Sequence, residues 1–143
     1  MEMEKIQAKK LKMTQIWKGD KVFPVSPLQL KDSAQLDAFK EGDKVKVTGV
    51  TKGHGFQGVV KRYSFAGGPK THGQKNRYRA AGSIGSTAPQ RVVPGRKMAG
   101  HMGVAKKSIR NLKVVELDKN TGKLFVLGSV PGNTGARVLI VKS

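Results

Sequence analysis

Leu112-Lys-Val-Val-Glu-Leu117, Asp118-Lys-Asn-Thr-Gly122 and Lys123-Leu-Phe-Val-Leu-Gly128 follow one another without a break. Two apolar-rich runs around a turn of Asp, Asn and Gly predict a β-hairpin. Outward from it, Val130-Pro-Gly-Asn-Thr-Gly135 predicts a tight turn, and the continuous run Val138-Leu-Ile-Val141 predicts a buried final strand. Toward the N-terminus, Lys44-Val-Lys-Val-Thr-Gly-Val50 alternates basic and apolar residues with period two. After a glycine-rich break, Phe56-Gln-Gly-Val-Val-Lys-Arg-Tyr63 predicts the return leg of a second hairpin. Thr14-Gln-Ile-Trp-Lys-Gly-Asp-Lys-Val-Phe-Pro-Val25 predicts two short strands around Gly19-Asp20. One short helix is expected from Ala34 to Lys40, capped by Ser33 and ended by Gly42. Short strands with closely spaced turns predict a mainly β chain and a small antiparallel β-barrel.

Charge divides the chain more sharply than strand pattern does. The 143 residues carry 28 Lys and Arg against 9 Asp and Glu, a formal charge of +19. From Lys52 to Arg110 there is no Asp or Glu, while 13 of the basic residues, 11 of the 18 Gly and all three His lie there. The flanks have an ordinary mixture of charges, so 1–51 with 108–143 is expected to form the barrel body. The segment 52–107 is expected to be a hairpin and a long basic glycine-rich extension inserted into that body. Self-repulsion in such a segment adds to an ordering cost of about 1–2 kcal/mol per residue, so an external polyanion is expected to order it.

Nucleic acid is the expected polyanion. No apolar run approaches the roughly 18 residues of a spanning helix, and no basic amphipathic helix stands out, so no membrane partner is expected. Met1 to Lys12 lacks the apolar stretch of a signal peptide, which predicts a cytoplasmic protein. Glycine lets backbone approach phosphate, and Arg and Lys neutralise it and release counterions. Tyr63, Phe65 and Tyr78 are available to stack on unpaired bases, a mode that favours folded RNA over duplex DNA. The charge reading assigns RNA contacts to Lys70, Lys75, Arg77, Arg79, Lys106 and Lys107 besides the residues carried over below.

Signals of catalysis are weak. Gly53-His-Gly-Phe-Gln-Gly58 matches the dinucleotide fingerprint G-x-G-x-x-G, but that motif must open a helix, and the residues after it read as a strand. No acidic residue between Lys44 and Val115 can orient His54, His72 or His101 as a general base. There is no Cys, and the three His lack metal-ligand spacing. No catalytic residue, cofactor, metal or small-molecule substrate is expected.

Several stretches, in order, resemble large-subunit ribosomal protein three of the bacterial type. Lys9-Lys-Leu-Lys-Met-Thr-Gln-Ile-Trp17 is similar to that family's opening strand, with Lys12 where Gly is usual. Val47-Thr-Gly-Val-Thr-Lys-Gly-His-Gly-Phe-Gln-Gly-Val-Val-Lys-Arg62 is similar to its central signature. His72-Gly, Gly82-Ser-Ile-Gly85, Arg96-Lys-Met-Ala-Gly-His-Met-Gly103 and Val130-Pro-Gly-Asn-Thr-Gly135 continue the match. The resemblance implies a β-barrel body and an extension threading through large-subunit ribosomal RNA toward the peptidyl transferase centre. It also implies a part in early subunit assembly, beside neighbouring large-subunit ribosomal proteins. By motif, Lys52, His54, Lys61, Arg62, His72, Arg91, Arg96, Lys97 and His101 would contact RNA. One departure bears on the fold. The family carries a long stretch with further strands where only residues 27–38 separate Ser26 from Phe39 here, so a reduced closed barrel and an open sheet both remain available. A rival reading from charge alone is a free-standing basic RNA chaperone or nucleoid-type protein.

Overall fold

The computed structural model describes residues 5–142. Its strands are, in chain order, β1 (Ile6–Lys10), β2 (Thr14–Lys18), β3 (Lys21–Leu30), β4 (Lys44–Val50), β5 (Phe56–Gln57), β6 (Gly100–His101), β7 (Lys106–Asp118), β8 (Lys123–Leu127) and β9 (Arg137–Lys142), with buried and exposed residues alternating in β1, β4, β8 and β9. A 3-10 helix spans Ser33–Ala38, and one α-helical turn, α1, spans Val59–Tyr63. The chain divides into two compact units, one formed up to Lys52 and from Val104 onward, the other by Gly53–Gly103.

The first unit is a closed antiparallel barrel in the order β1-β9-β4-β7-β8-β3, returned to β1 by the pairing of β1 with β3. The ten residues of β3 make closure possible. The first part of β3 pairs with β2 (Thr14↔Val25, Trp17↔Val22), and its last part pairs with β1 (Ala8↔Leu30, Lys10↔Leu28). Thus one strand edge serves two partners, and six strands complete a ring despite the short stretch between Ser26 and Phe39.

Register places apolar side chains in rows across the ring. Ile140 lies between Ile6 and Val47, and Val138 between Ala8 and Gly49. Leu28 pairs with Leu124, and Val114 with Val126. All of these are buried, and each buried Val, Leu or Ile contributes about 1.5–3 kcal/mol over its exposed state. Gly49 keeps its row open, since a Cβ there would lie 3.1 Å from Val138 Cγ1 and 3.2 Å from the Pro131 carbonyl oxygen. Leu36 and Phe39 join the same core from the 3-10 segment. Ser26, a buried polar residue, donates its hydroxyl to the Gly128 carbonyl at 2.6 Å.

Several local expectations change. Phe56–Tyr63 is not a strand paired with β4: only Phe56 and Gln57 are extended, their partner is β6, and β4 lies between β7 and β9. Val59–Tyr63 is helical and ends at Ser64, which adopts φ 57° in the left-handed region. The expected helix 34–40 is a 3-10 helix over Ser33–Ala38 with Asp32 at its N-cap and no side-chain cap bond. The side chain of Ser33 lies outside the described residues. β9 is buried on one face only, at Val138 and Ile140, because it pairs within a ring whose outer face is open. β7 starts six residues before the expected strand, and bulges where Arg110 and Asn111 together oppose Lys46, with Asn111 at φ 58°.

Candidate nucleic-acid interface

Within Gly53–Gly103 only Val59 is buried, and every residue from 75 to 99 is exposed. The unit therefore has no apolar core to oppose the repulsion of Lys61, Arg62, Lys70, Lys75, Arg77, Arg79, Arg91, Arg96 and Lys97, among which the sequence places no carboxylate. Polar and ring contacts give it shape. At its base, β5 and β6 pair Phe56 with His101 and Gln57 with Gly100. The His54 N–H donates to the Met102 carbonyl at 2.8 Å, and the Met102 N–H to the Gly55 carbonyl at 2.9 Å. The Phe56 and His101 rings meet edge to face at 5.8 Å.

Helix α1 then aims two side chains back at the returning chain. Arg62 Nη1 donates to the Met98 carbonyl at 2.7 Å. Gly100 makes room for it, since a Cβ there would lie 2.7 Å from that nitrogen. Arg62 also lies 5.0 Å from the Tyr63 ring centre, and Lys97 lies 5.6 Å from it, so two cations share one aromatic ring. Farther along, the Gly68 N–H donates to the Tyr78 carbonyl at 3.1 Å, and the Tyr78 hydroxyl donates to the Gln74 carbonyl. Arg96 Nη2 donates to the Ser83 carbonyl at 2.5 Å. The Ala88–Pro89 peptide is cis.

The site residues expected from sequence are thus of three kinds. Lys61, Lys70, His72, Lys75, Arg77, Arg79 and Arg91 are exposed on the coreless unit, His72 at φ 57° in a turn. Arg62, Arg96, Lys97 and His101 are partly engaged within the unit, as is His54 through its backbone. Lys52, Lys106 and Lys107 belong to the barrel unit, the last two on β7 opposite Val50 and Gly49. All of these side chains are exposed except Arg62, which is half-buried. The three described ion pairs, Lys18–Glu41, Lys119–Asp37 and Lys142–Asp43, lie in the barrel unit.

Two chemical alternatives meet the geometry here. The Gly53–Gly58 fingerprint does open a helix, contrary to expectation, but a helix of five residues. Every strand pairing among the described residues is antiparallel, so the parallel βαβ unit that gives the fingerprint its meaning is missing. Among the described residues no three His, Cys, Asp or Glu side chains gather where a metal could bind, and no helix is long and apolar enough to cross a membrane.

A small closed barrel with a coreless, glycine-rich cationic insertion defines a basic, arm-bearing class of β protein. Comparison with known proteins narrows the class. The family model described as Ribosomal protein L3 matches residues 23–140. The large ribosomal subunit protein uL3 of Dehalococcoides mccartyi is 48% identical over 120 residues, covering 83% of this chain and 58% of that relative. The uL3 of Chlorobaculum tepidum is 48% identical over 120 residues, covering 83% and 57%, and that of Xanthomonas campestris is 47% identical over 124 residues, covering 82% and 57%. The chain belongs to the ribosomal protein L3 family. It spans 58% of the length of the first of these relatives.

Proposed function

We propose that this chain is a non-catalytic structural constituent of the large ribosomal subunit, on the cytoplasmic ribosome. In this reading it binds large-subunit ribosomal RNA through the 52–107 segment and supports early subunit assembly beside other large-subunit proteins. The segment extends toward the peptidyl transferase centre. One observation carries the reading: a unit with nine cations, no carboxylate and a single buried apolar side chain has its charge turned outward and unopposed. Phosphate supplies the missing counter-charge, and glycine-rich backbone can follow a folded RNA closely. Family membership supports the same reading, since the relatives are named as large-subunit proteins.

The test is selectivity. At matched salt the full chain is expected to bind large-subunit RNA in preference to random duplex and to co-sediment with large subunits in a sucrose gradient. Equal affinity for both would favour a free-standing chaperone or nucleoid-type protein. The double variant Arg96→Glu, Lys97→Glu is expected to block incorporation into subunits, and normal incorporation would remove these two residues from the contact surface.

A further inference from the structure

We propose that a cleft within the glycine-rich unit, walled by Phe65, Gly67, Gln74, Arg77 and Ala81, receives one unpaired nucleobase of the bound RNA. The inference rests on the RNA-binding reading above and assigns it a specific pocket. The cleft is about 530 Å³ and is confined to residues 65–82. Its walls are tied by the Gly68 N–H to the Tyr78 carbonyl at 3.1 Å, the Ala80 N–H to the Arg77 carbonyl at 3.3 Å, and the Tyr78 hydroxyl to the Gln74 carbonyl. Close approach of the two chain segments explains the paired glycines. A Cβ on Gly67 would lie 2.0 Å from the Tyr78 carbonyl oxygen, and one on Gly68 would lie 2.6 Å from that of Arg77. Gly67 also holds φ +78°, a conformation that disfavours any side chain.

Gln74 gives the cleft its chemistry. It is the only residue between 69 and 99 that is not exposed, and its carboxamide, which donates to and accepts from no described residue, is reached from solvent. A carboxamide offers a donor and an acceptor side by side, which complements the edge of a nucleobase. Phe65 is half-buried at the same cleft and offers a ring on which a base can stack. Arg77 is exposed on the rim and bears the charge a flanking phosphate needs. A track that merely neutralised phosphates would require neither the close approach of two chain segments nor an unengaged carboxamide between them.

The test uses the full chain with a labelled, mixed-sequence single-stranded RNA of about a dozen nucleotides, and the same sequence as a duplex at matched salt. Two variants alter the cleft differently: Phe65→Ala with Gln74→Ala empties it, and Ala81→Trp fills it. Each is expected to weaken single-strand binding about tenfold while changing duplex binding less than about twofold, with the salt dependence unchanged because no phosphate contact is removed. Wild-type single-strand affinity in both variants, or equal loss for both RNA forms, would overturn the assignment. Displacement of the RNA from the wild-type chain by excess nucleoside monophosphates, but not by inorganic phosphate, would reassign the cleft to free nucleotides and overturn it equally. An unchanged thermal melt of the barrel checks folding. The wider RNA-binding reading fails separately, if the wild-type chain shows no preference for large-subunit RNA.

Discussion

Arg62 and Met98, 36 positions apart, are joined by a guanidinium-to-carbonyl hydrogen bond of 2.7 Å that passes over Gly100. In a unit with one buried apolar residue, this bond and the short β5–β6 ladder hold the outgoing and returning chain together.

Arg62→Ala is expected to leave barrel stability within about 0.5 kcal/mol of wild type, because its contacts lie in the other unit. Amide hydrogen exchange should accelerate at His54 and Met102, whose bonds close the base. Arg62→Lys is expected to restore little, since a compact ammonium does not reproduce the planar fork and its ring contact. Unchanged exchange in Arg62→Ala would refute the staple.

Lys10, at the end of β1, braces the turn between β8 and β9. Its ammonium donates to the Val130 carbonyl at 2.6 Å and the Gly132 carbonyl at 2.7 Å, and burial, then the nearby charge of Lys52, hold its pKa below the ordinary lysine value. Lys10→Met keeps the stem and removes both bonds, at an expected cost of about 1–3 kcal/mol in urea unfolding. Lys52→Gln should raise the Lys10 pKa without restoring it fully, because burial is the larger cause. A Lys10 amine that titrates as an exposed lysine by NMR would contradict both.

Asp43 carries an acid-sensitive contribution. Its carboxylate accepts a hydrogen bond from Lys142, at 2.6 Å, and from the Lys40 N–H at 3.0 Å, and these hold its pKa below the ordinary aspartate value. The folded state therefore keeps this group ionised at lower pH than the unfolded chain does. Its stabilisation is complete above the unfolded pKa, near 4, and is lost as pH falls through the folded value. Asp43→Asn should flatten that limb of the stability curve, and an identical acid limb in the variant would count against it.

Leu28 is fully buried opposite Leu124 in the β3–β8 ladder. Leu28→Ala is expected to cost about 2–5 kcal/mol, read from the urea midpoint, with the spread set by how far the ring can relax around the cavity. A cost under about 1 kcal/mol would mean that the barrel is not packed as described.

The barrel was legible in the sequence where packing on one face imprints alternation, as in Lys44–Val50 and Lys123–Leu127. It was less legible where pairing alone makes a strand. Lys106–Arg110 carries no apolar alternation, and is extended because the edge of β4 accepts it. Val59-Val60 and Tyr63 favour strand by propensity, yet one helical turn forms there, ended by a left-handed Ser64. Cation positions could be read directly from charge, since no acid interrupts them. The cleft could not, because Gly67-Gly68-Pro69 signals a turn without indicating that Tyr78 and Arg77 close against it, and Gln74 looks like any polar loop residue until that closure half-buries it.

Because β3 hands its edge from β2 to β1 before the chain reaches Lys31, the connection from Lys31 to Asp43 bonds to the ring by its backbone only at its two ends, Lys31 to Gln7, and Gly42 and Asp43 to Val114. A graft of many residues between those ends is expected to leave every ladder intact provided that Leu36 and Phe39 still dock. Length can therefore vary within this connection while the ring itself stays the same.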